Sequence, residues 1–177
     1  MKLWNQRPRE IRNLFNPAFC GLVLARGVEG FSETVNRSMP FSLTLLILPL
    51  CLHKRTREQI KAANRSYFTK ILQEHPEIRV DLARRARGLL PYTMEAFAYL
   101  MSCGAIDVDD SGCVAVMNKT VKRSIIGTQD TKDCQTVARS LGRKLSLIND
   151  RATIYTILGI RPLLIFTFYE PKQAVDF

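Results

Sequence analysis

The spacing of hydrophobic and polar positions changes several times along the chain, and each change marks an element. After a basic leader, Asn16-Pro17 predicts a helix start, with Asn16 as cap and Pro17 in the first helical position. Phe19, Leu22, Val23 and Val28 then follow near-helical spacing as far as Phe31, and Cys20, Gly27 and Gly30 fall inside the run. An internal helical glycine costs about 1 kcal/mol, so these predict a neighbour packed close against the backbone. Residues 39–52 are apolar on every face, where periodicity does not separate helix from strand. Length and Pro40 favour a buried helix, kinked near Pro49. Thr56-Arg57-Glu58-Gln59 matches a capping box with Thr56 as cap. Short helices are predicted over 57–63 and 67–74, and His75-Pro76 interrupts them.

From Pro76 the pattern predicts a helix over 77–88, with Ile78, Leu82, Ala86 and Leu89 on one face. A turn over 89–93 containing Pro91 and a second helix over 94–102 follow. Two β-rich runs, 105–108 and 113–117, flank Asp109-Asp110-Ser111-Gly112 and predict a hairpin. Helix, turn, helix, hairpin is the order of a winged helix-turn-helix. Cys134, Val137, Ala138, Leu141, Leu145 and Ile148 then recur at helical steps. A shorter helix over 152–158 ends at Gly159, with Pro162 just beyond and a β-prone run over 163–169. The expected fold is mainly α (α+β), in one domain over 1–177. It comprises a helical N-terminal part (1–75), a winged-helix-like unit (76–122), and C-terminal helices with a tail (123–177).

Composition leaves that picture intact: among 177 residues, 46% are hydrophobic and 24% charged, an ordinary globular balance. The charge adds something. The net value is +10, with 16 basic and 7 acidic residues in 1–90 against 10 and 9 in 91–177. A basic half predicts an acidic partner, either nucleic acid or an acidic protein surface. The start, MKLWNQRPRE, has no apolar core and so predicts no secretory signal. The apolar run over 39–52 is too short and too rich in proline to span a bilayer. Five cysteines (Cys20, Cys51, Cys103, Cys113, Cys134) without a C-x-x-C pair read as reduced thiols of a cytoplasmic protein.

Catalytic signatures are missing from the sequence. It contains neither G-x-x-x-x-G-K-[ST] nor G-x-G-x-x-G, and neither G-x-S-x-G nor H-E-x-x-H. The two histidines, His53 and His75, stand far apart. Asp107, Asp109, Ser111 and Gly112 imitate the start of a calcium loop. Its twelfth position is Asn118 and its flanks read as strands, so a hairpin turn is the better reading. No catalytic, cofactor or metal residue is predicted. Nucleic-acid contact is the sharper possibility, through Arg79, Arg84, Arg85 and Arg87 or through Lys54 and Arg55 beside Arg57. The second helix of the unit, MEAFAYLMS, has no Lys, Arg, Asn or Gln to read bases and suits burial against protein.

Taken in order, RNLFNPAFCGLVLARGVEGF, MPFSLTLLILPLCLHKRTRE, ILQEHPEIRVDLARRARGLLPYTMEAFAYL, ARSLGRKLS and ATIYTILGIRP resemble the middle component of three-component ABC ATPase systems. These are bacterial conflict systems that include Lamassu-type anti-phage defence. The resemblance implies a non-enzymatic adaptor between an SMC- or Rad50-like ABC ATPase and an effector, commonly a nuclease, with DNA met through the complex and no membrane. Its motif positions include Asn16, Pro17, Phe19, Cys20, Gly30, Pro40, Thr56, Pro91, Gly142, Tyr155, Gly159 and Pro162, which suit caps, turns and close packing. Arg57, Arg143 and Arg161, with His53 and Tyr92, are the expected partner contacts, because guanidinium pairs bidentately with carboxylate or phosphate. The family often carries an aromatic soon after LGR, where this chain has Lys144. The competing expectation is a winged-helix DNA-binding regulator that uses the cations of 1–90.

Overall fold

The longest run of buried positions belongs to one helix, and the rest of the chain is arranged around it. The computed structural model describes residues 6–117, 120–121, 124–148 and 150–160. Helix α1 (Arg9–Leu14) leads into α2 (Pro17–Val35). In α2, Cys20, Val23, Leu24, Ala25, Val28 and Phe31 are all buried, on more than one face of the helix, as befits a central helix. Its start is the predicted one: Asn16 Oδ1 accepts from the Ala18 N–H at 2.9 Å, and Pro17 opens the first turn.

The stretch 39–52 is buried as expected, but it is broken more finely than one kinked helix. Strand β1 (Met39–Pro40) and helices α3 (Phe41–Thr44) and α4 (Ile47–Cys51) follow one another, then α5 (Lys54–Ala62) and α6 (Phe68–Glu74). Helix α5 starts earlier than the capping-box reading placed it. Its cap is His53, whose Nδ1 accepts from the Thr56 N–H at 3.4 Å. Thr56 lies inside the helix, with its hydroxyl 2.8 Å from His53 Nδ1. The chain already bends at Leu52–His53 after α4, so the first free N–H groups appear there.

The winged helix-turn-helix is not formed. A 3₁₀ turn (Pro76–Arg79) is followed by Asp81 in the left-handed region (φ 57°), and then by one helix, α7 (Leu82–Ser102), with Pro91 inside it. Proline removes the N–H that would bond to the Arg87 carbonyl. Arg87 and Pro91 both face solvent, so water can serve that carbonyl, while buried Leu82, Ala86, Ala96, Phe97 and Leu100 hold the helix on its other side. The two helices expected over 77–88 and 94–102 are thus largely one, with no turn over 89–93.

The hairpin forms where predicted, as β2 (Ile106–Val108) and β3 (Cys113–Val116). Asp109 organises its turn, Oδ1 accepting from the N–H groups of Ser111 (3.0 Å) and Cys113 (2.9 Å). The sheet is antiparallel in the order β1-β3-β2, with Met39 opposite Val114 and Ile106 opposite Val116. Helices α8 (Gln129–Ser146) and α9 (Arg151–Ile157) complete the described chain, and Gly159 (φ 68°) follows α9 in the left-handed conformation. The chain is mainly helical with this small sheet.

Helix α2 packs between α7 and α8. At its crossing with α8 a Cβ on Gly30 would press on the Arg139 carbonyl, and one on Gly142 would press on the Gly27 carbonyl. Both glycines are there because another backbone occupies the space. Tyr155 Oη, buried, donates to the Ser42 carbonyl at 2.7 Å and ties α9 to α3. Burial pushes that phenol up to about 12. No described helix is long and apolar enough to cross a membrane. Arg161, Pro162 and the β-prone run over 163–169 lie outside the described residues.

Candidate partner-docking site

Arg57 is a buried guanidinium, 6% exposed, at the meeting point of three helices. Its Nη1 donates to the carbonyls of Cys51 (3.1 Å) and Leu52 (3.4 Å) at the end of α4, and Nη2 donates to Asp130 Oδ1 (2.8 Å) in the first turn of α8. The cation thus neutralises the negative end of α4 and clamps it to α8. Cys134 Sγ, one turn further along α8, lies 3.7 Å from the same Cys51 carbonyl.

In front of this clamp opens a groove of about 540 Å³. Its apolar wall is Leu14, Phe19, Leu22 and Leu52, and its polar lining includes Asn16, Lys54, Arg57, Asp130 and Thr131. Leu14 is 53% exposed and Leu22 37% exposed. Three helix N-termini meet at this groove: the cap and first turn of α2 (Asn16, Ala18, Phe19), the first residue of α5 (Lys54) and the first turn of α8 (Asp130, Thr131). Each such end carries roughly half a positive charge. The Lys54 side chain is exposed at the rim of this groove.

His53 sits beside this rim. Partial burial, and then the charges of Arg85, Arg55 and Arg57, hold its imidazole below the usual histidine range. Nδ1 accepts the capping bond, so the neutral ring is the form that fits. The unfolded state binds this proton more readily than the folded state, so stability is lost as pH falls from the ordinary histidine value, about 6.5, towards the folded one. His53→Asn keeps a capping side chain and is expected to remove that part of the acid dependence; thermal unfolding of both proteins between neutral and mildly acid pH measures it.

The other expected contacts separate into two groups. Arg143, at the far end of α8, is exposed and donates to Glu33 Oε2 at 2.8 Å, beside Arg139 on the same carboxylate. Arg139 first and Arg143 second hold Glu33 below the usual carboxylate range. Tyr92 is half-buried on α7, stacked on Phe15 with ring centroids 4.3 Å apart. Arg7 lies over the Tyr92 ring and donates to Glu95 at 2.7 Å, which fastens the α1 segment to α7.

Among the candidate DNA contacts, Arg85 is committed within the chain. Its Nη2 donates to the Ile78 carbonyl (2.9 Å), and Nη1 to Thr56 Oγ1 (3.3 Å). Arg79 donates to the Leu72 carbonyl at 2.9 Å, Arg84 pairs with Asp81 at 2.7 Å, and Arg55 lies 3.6 Å from Glu77. Arg87 and Lys54 face solvent. The structure gathers part of this set: Arg85 reaches from α7 to Thr56 on α5 and, with Arg55, acts on His53, whereas Arg84 and Arg87 stay exposed on α7.

Leu14, Leu22 and Leu52 escaped the sequence reading, because one exposed leucine on a helix looks like any other. Lys144 stands where the family often carries an aromatic anchor. In the structure it is itself an anchor: buried, it donates to the carbonyls of Asn64 (2.7 Å) and Ser66 (2.5 Å) just past the end of α5.

Met94 and Met101 are also exposed, on one side of the last turns of α7, and Tyr99 is exposed on another. Neither curated proteins nor solved structures yield a match to this chain. Residues 4–162 match the family described as ABC-three component (ABC-3C) system Middle Component 3, and a match over most of the sequence places this chain in that family of middle components.

Proposed function

We propose that this chain is the bridging subunit of its three-component system, joining an SMC- or Rad50-like ABC ATPase to an effector, commonly a nuclease, without catalysing a reaction itself. The setting is bacterial defence against phage or plasmids, of the kind that includes Lamassu-type systems, and the compartment is the cytoplasm. One observation carries the reading beyond family membership: apolar side chains are exposed on two surfaces built from different elements. These are the groove of Leu14 and Leu22 and the side of α7 that carries Met94 and Met101. A subunit that joins two others needs two such faces, and flexible methionines suit adaptable contacts. The exposed cations on α5 and α7 suit contact with a phosphate backbone held beside the complex. The expected base-reading helix over 94–102 is the second half of α7 and carries no Lys, Arg, Asn or Gln, which favours the bridging reading over a base-reading regulator.

Co-expression with the ATPase and effector subunits of the same system tests this. The expected result is one ternary species by size-exclusion chromatography with light scattering. A chain that elutes alone, indifferent to both subunits, overturns the proposal.

A further inference from the structure

The groove in front of Arg57 combines an apolar wall with exposed positive charge. Its apolar side chains, Leu14, Phe19, Leu22 and Leu52, suit burial of two or three large side chains in about 540 Å³. Its charges do not cancel. Arg57 is matched by Asp130, the nearby Asp133 is matched by Lys61, and Lys54 and the positive ends of α2, α5 and α8 remain. The opposing negative end of α4 is quenched by the Arg57 bonds to Cys51 and Leu52. The site therefore favours an occupant with apolar side chains beside a carboxylate.

We infer that this groove docks a short acidic-hydrophobic segment of a partner protein, its apolar side chains against Leu14 and Leu22 and its carboxylate towards Lys54. This deepens the bridging reading and rests on it for the identity of the partner. The apolar wall argues for a polypeptide over a nucleic-acid backbone, which would leave Leu14 and Leu22 uncovered. The Lys54 ammonium is the group left to meet the incoming carboxylate, since Arg57 is already spent within the chain.

Three variants of the full chain test it: Leu22→Asp, Lys54→Glu and, as a remote exposed control, Arg87→Glu. Two probes report on the groove itself, anilinonaphthalene sulfonate, an apolar anion, and its uncharged parent N-phenylnaphthylamine. Leu22→Asp is expected to weaken both probes at least tenfold, and Lys54→Glu only the anion, with melting temperatures unchanged. Binding of each variant to the ATPase and effector subunits is then measured. At least a tenfold loss for one subunit in both groove variants, with none for Arg87→Glu, supports docking. Unchanged association overturns it and leaves the bridging reading standing. Association with neither subunit, even by the wild type, sinks the bridging reading, and probe binding then decides the groove. Loss of duplex-DNA affinity in Lys54→Glu without any effect of Leu22→Asp assigns the site to nucleic acid and overturns the peptide.

Discussion

Gly142→Ala is expected to destabilise the fold by about 3 kcal/mol, although alanine is the better helix former by about 1 kcal/mol. The sign is set by the crossing of α2 and α8. A Cβ at 142 would meet the Gly27 carbonyl and lie 2.8 Å from the Phe31 nitrogen, and both are backbone atoms that no rotamer change can move aside. The helices must separate, loosening the packing of Val28, Leu141 and Leu145, all buried in the core. Gly30→Ala meets the Arg139 carbonyl across the same crossing and is expected to cost a similar amount. Because one separation relieves both clashes, the double variant should cost less than the sum of the singles. Gly88, exposed within α7 with nothing within 4 Å of a built Cβ, gives the opposite expectation: Gly88→Ala should stabilise slightly. Urea unfolding with an unchanged slope measures all four. Gly142→Ala behaving like Gly88→Ala would show that the two helices do not cross this closely.

That pair of glycines shows how much of the fold could be read from residues alone. Gly30 inside a helical pattern signalled a close neighbour, and Asn16-Pro17 signalled a helix start, because each reflects local backbone physics. Asp109-Asp110-Ser111-Gly112 gave the hairpin for the same reason. Which helix approaches Gly30 is a tertiary fact that the spacing does not contain. Strand β1, two residues long, carries no period at all and is defined by its pairing with β3. Pro91 misled because its cost depends on which side of the helix it occupies: on the solvent side of α7, burial on the other face outweighs it.

The candidate site was legible to a similar degree. Lys54, Arg55 and Arg57 stand out as a basic cluster next to His53, and Lys54 and Arg57 line the groove. What the sequence did not reveal was their division of labour. Arg57 and Lys144 answer to backbone carbonyls, which every residue carries and no motif advertises. Lys54, three residues from Arg57, is left outward. Burial separates an internal tether from a surface charge, and burial arises only once α4, α5 and α8 have met.

Arg57→Met is accordingly expected to destabilise the protein by about 3 kcal/mol, the lower end of the range for breaking a buried charged contact. Two effects add. The Cys51 and Leu52 carbonyls lose their charged donor, leaving Cys51 only the weak Cys134 thiol, and α4 loses its link to α8. The loss stays at the lower end because Asp130 is 70% exposed, and water takes over its carboxylate once the arginine is gone. Asp130→Asn should then cost under about 1 kcal/mol, since it removes only an outward ion pair. Arg57→Lys should recover part of the loss, because a single ammonium reaches the carbonyls or the carboxylate but lacks the planar fork that spans both. Chemical denaturation of the three variants orders them Met, Lys, Asn from most to least damaging. Equal small losses for Arg57→Met and Asp130→Asn would reduce Arg57 to a surface salt bridge and leave the end of α4 without its counter-charge.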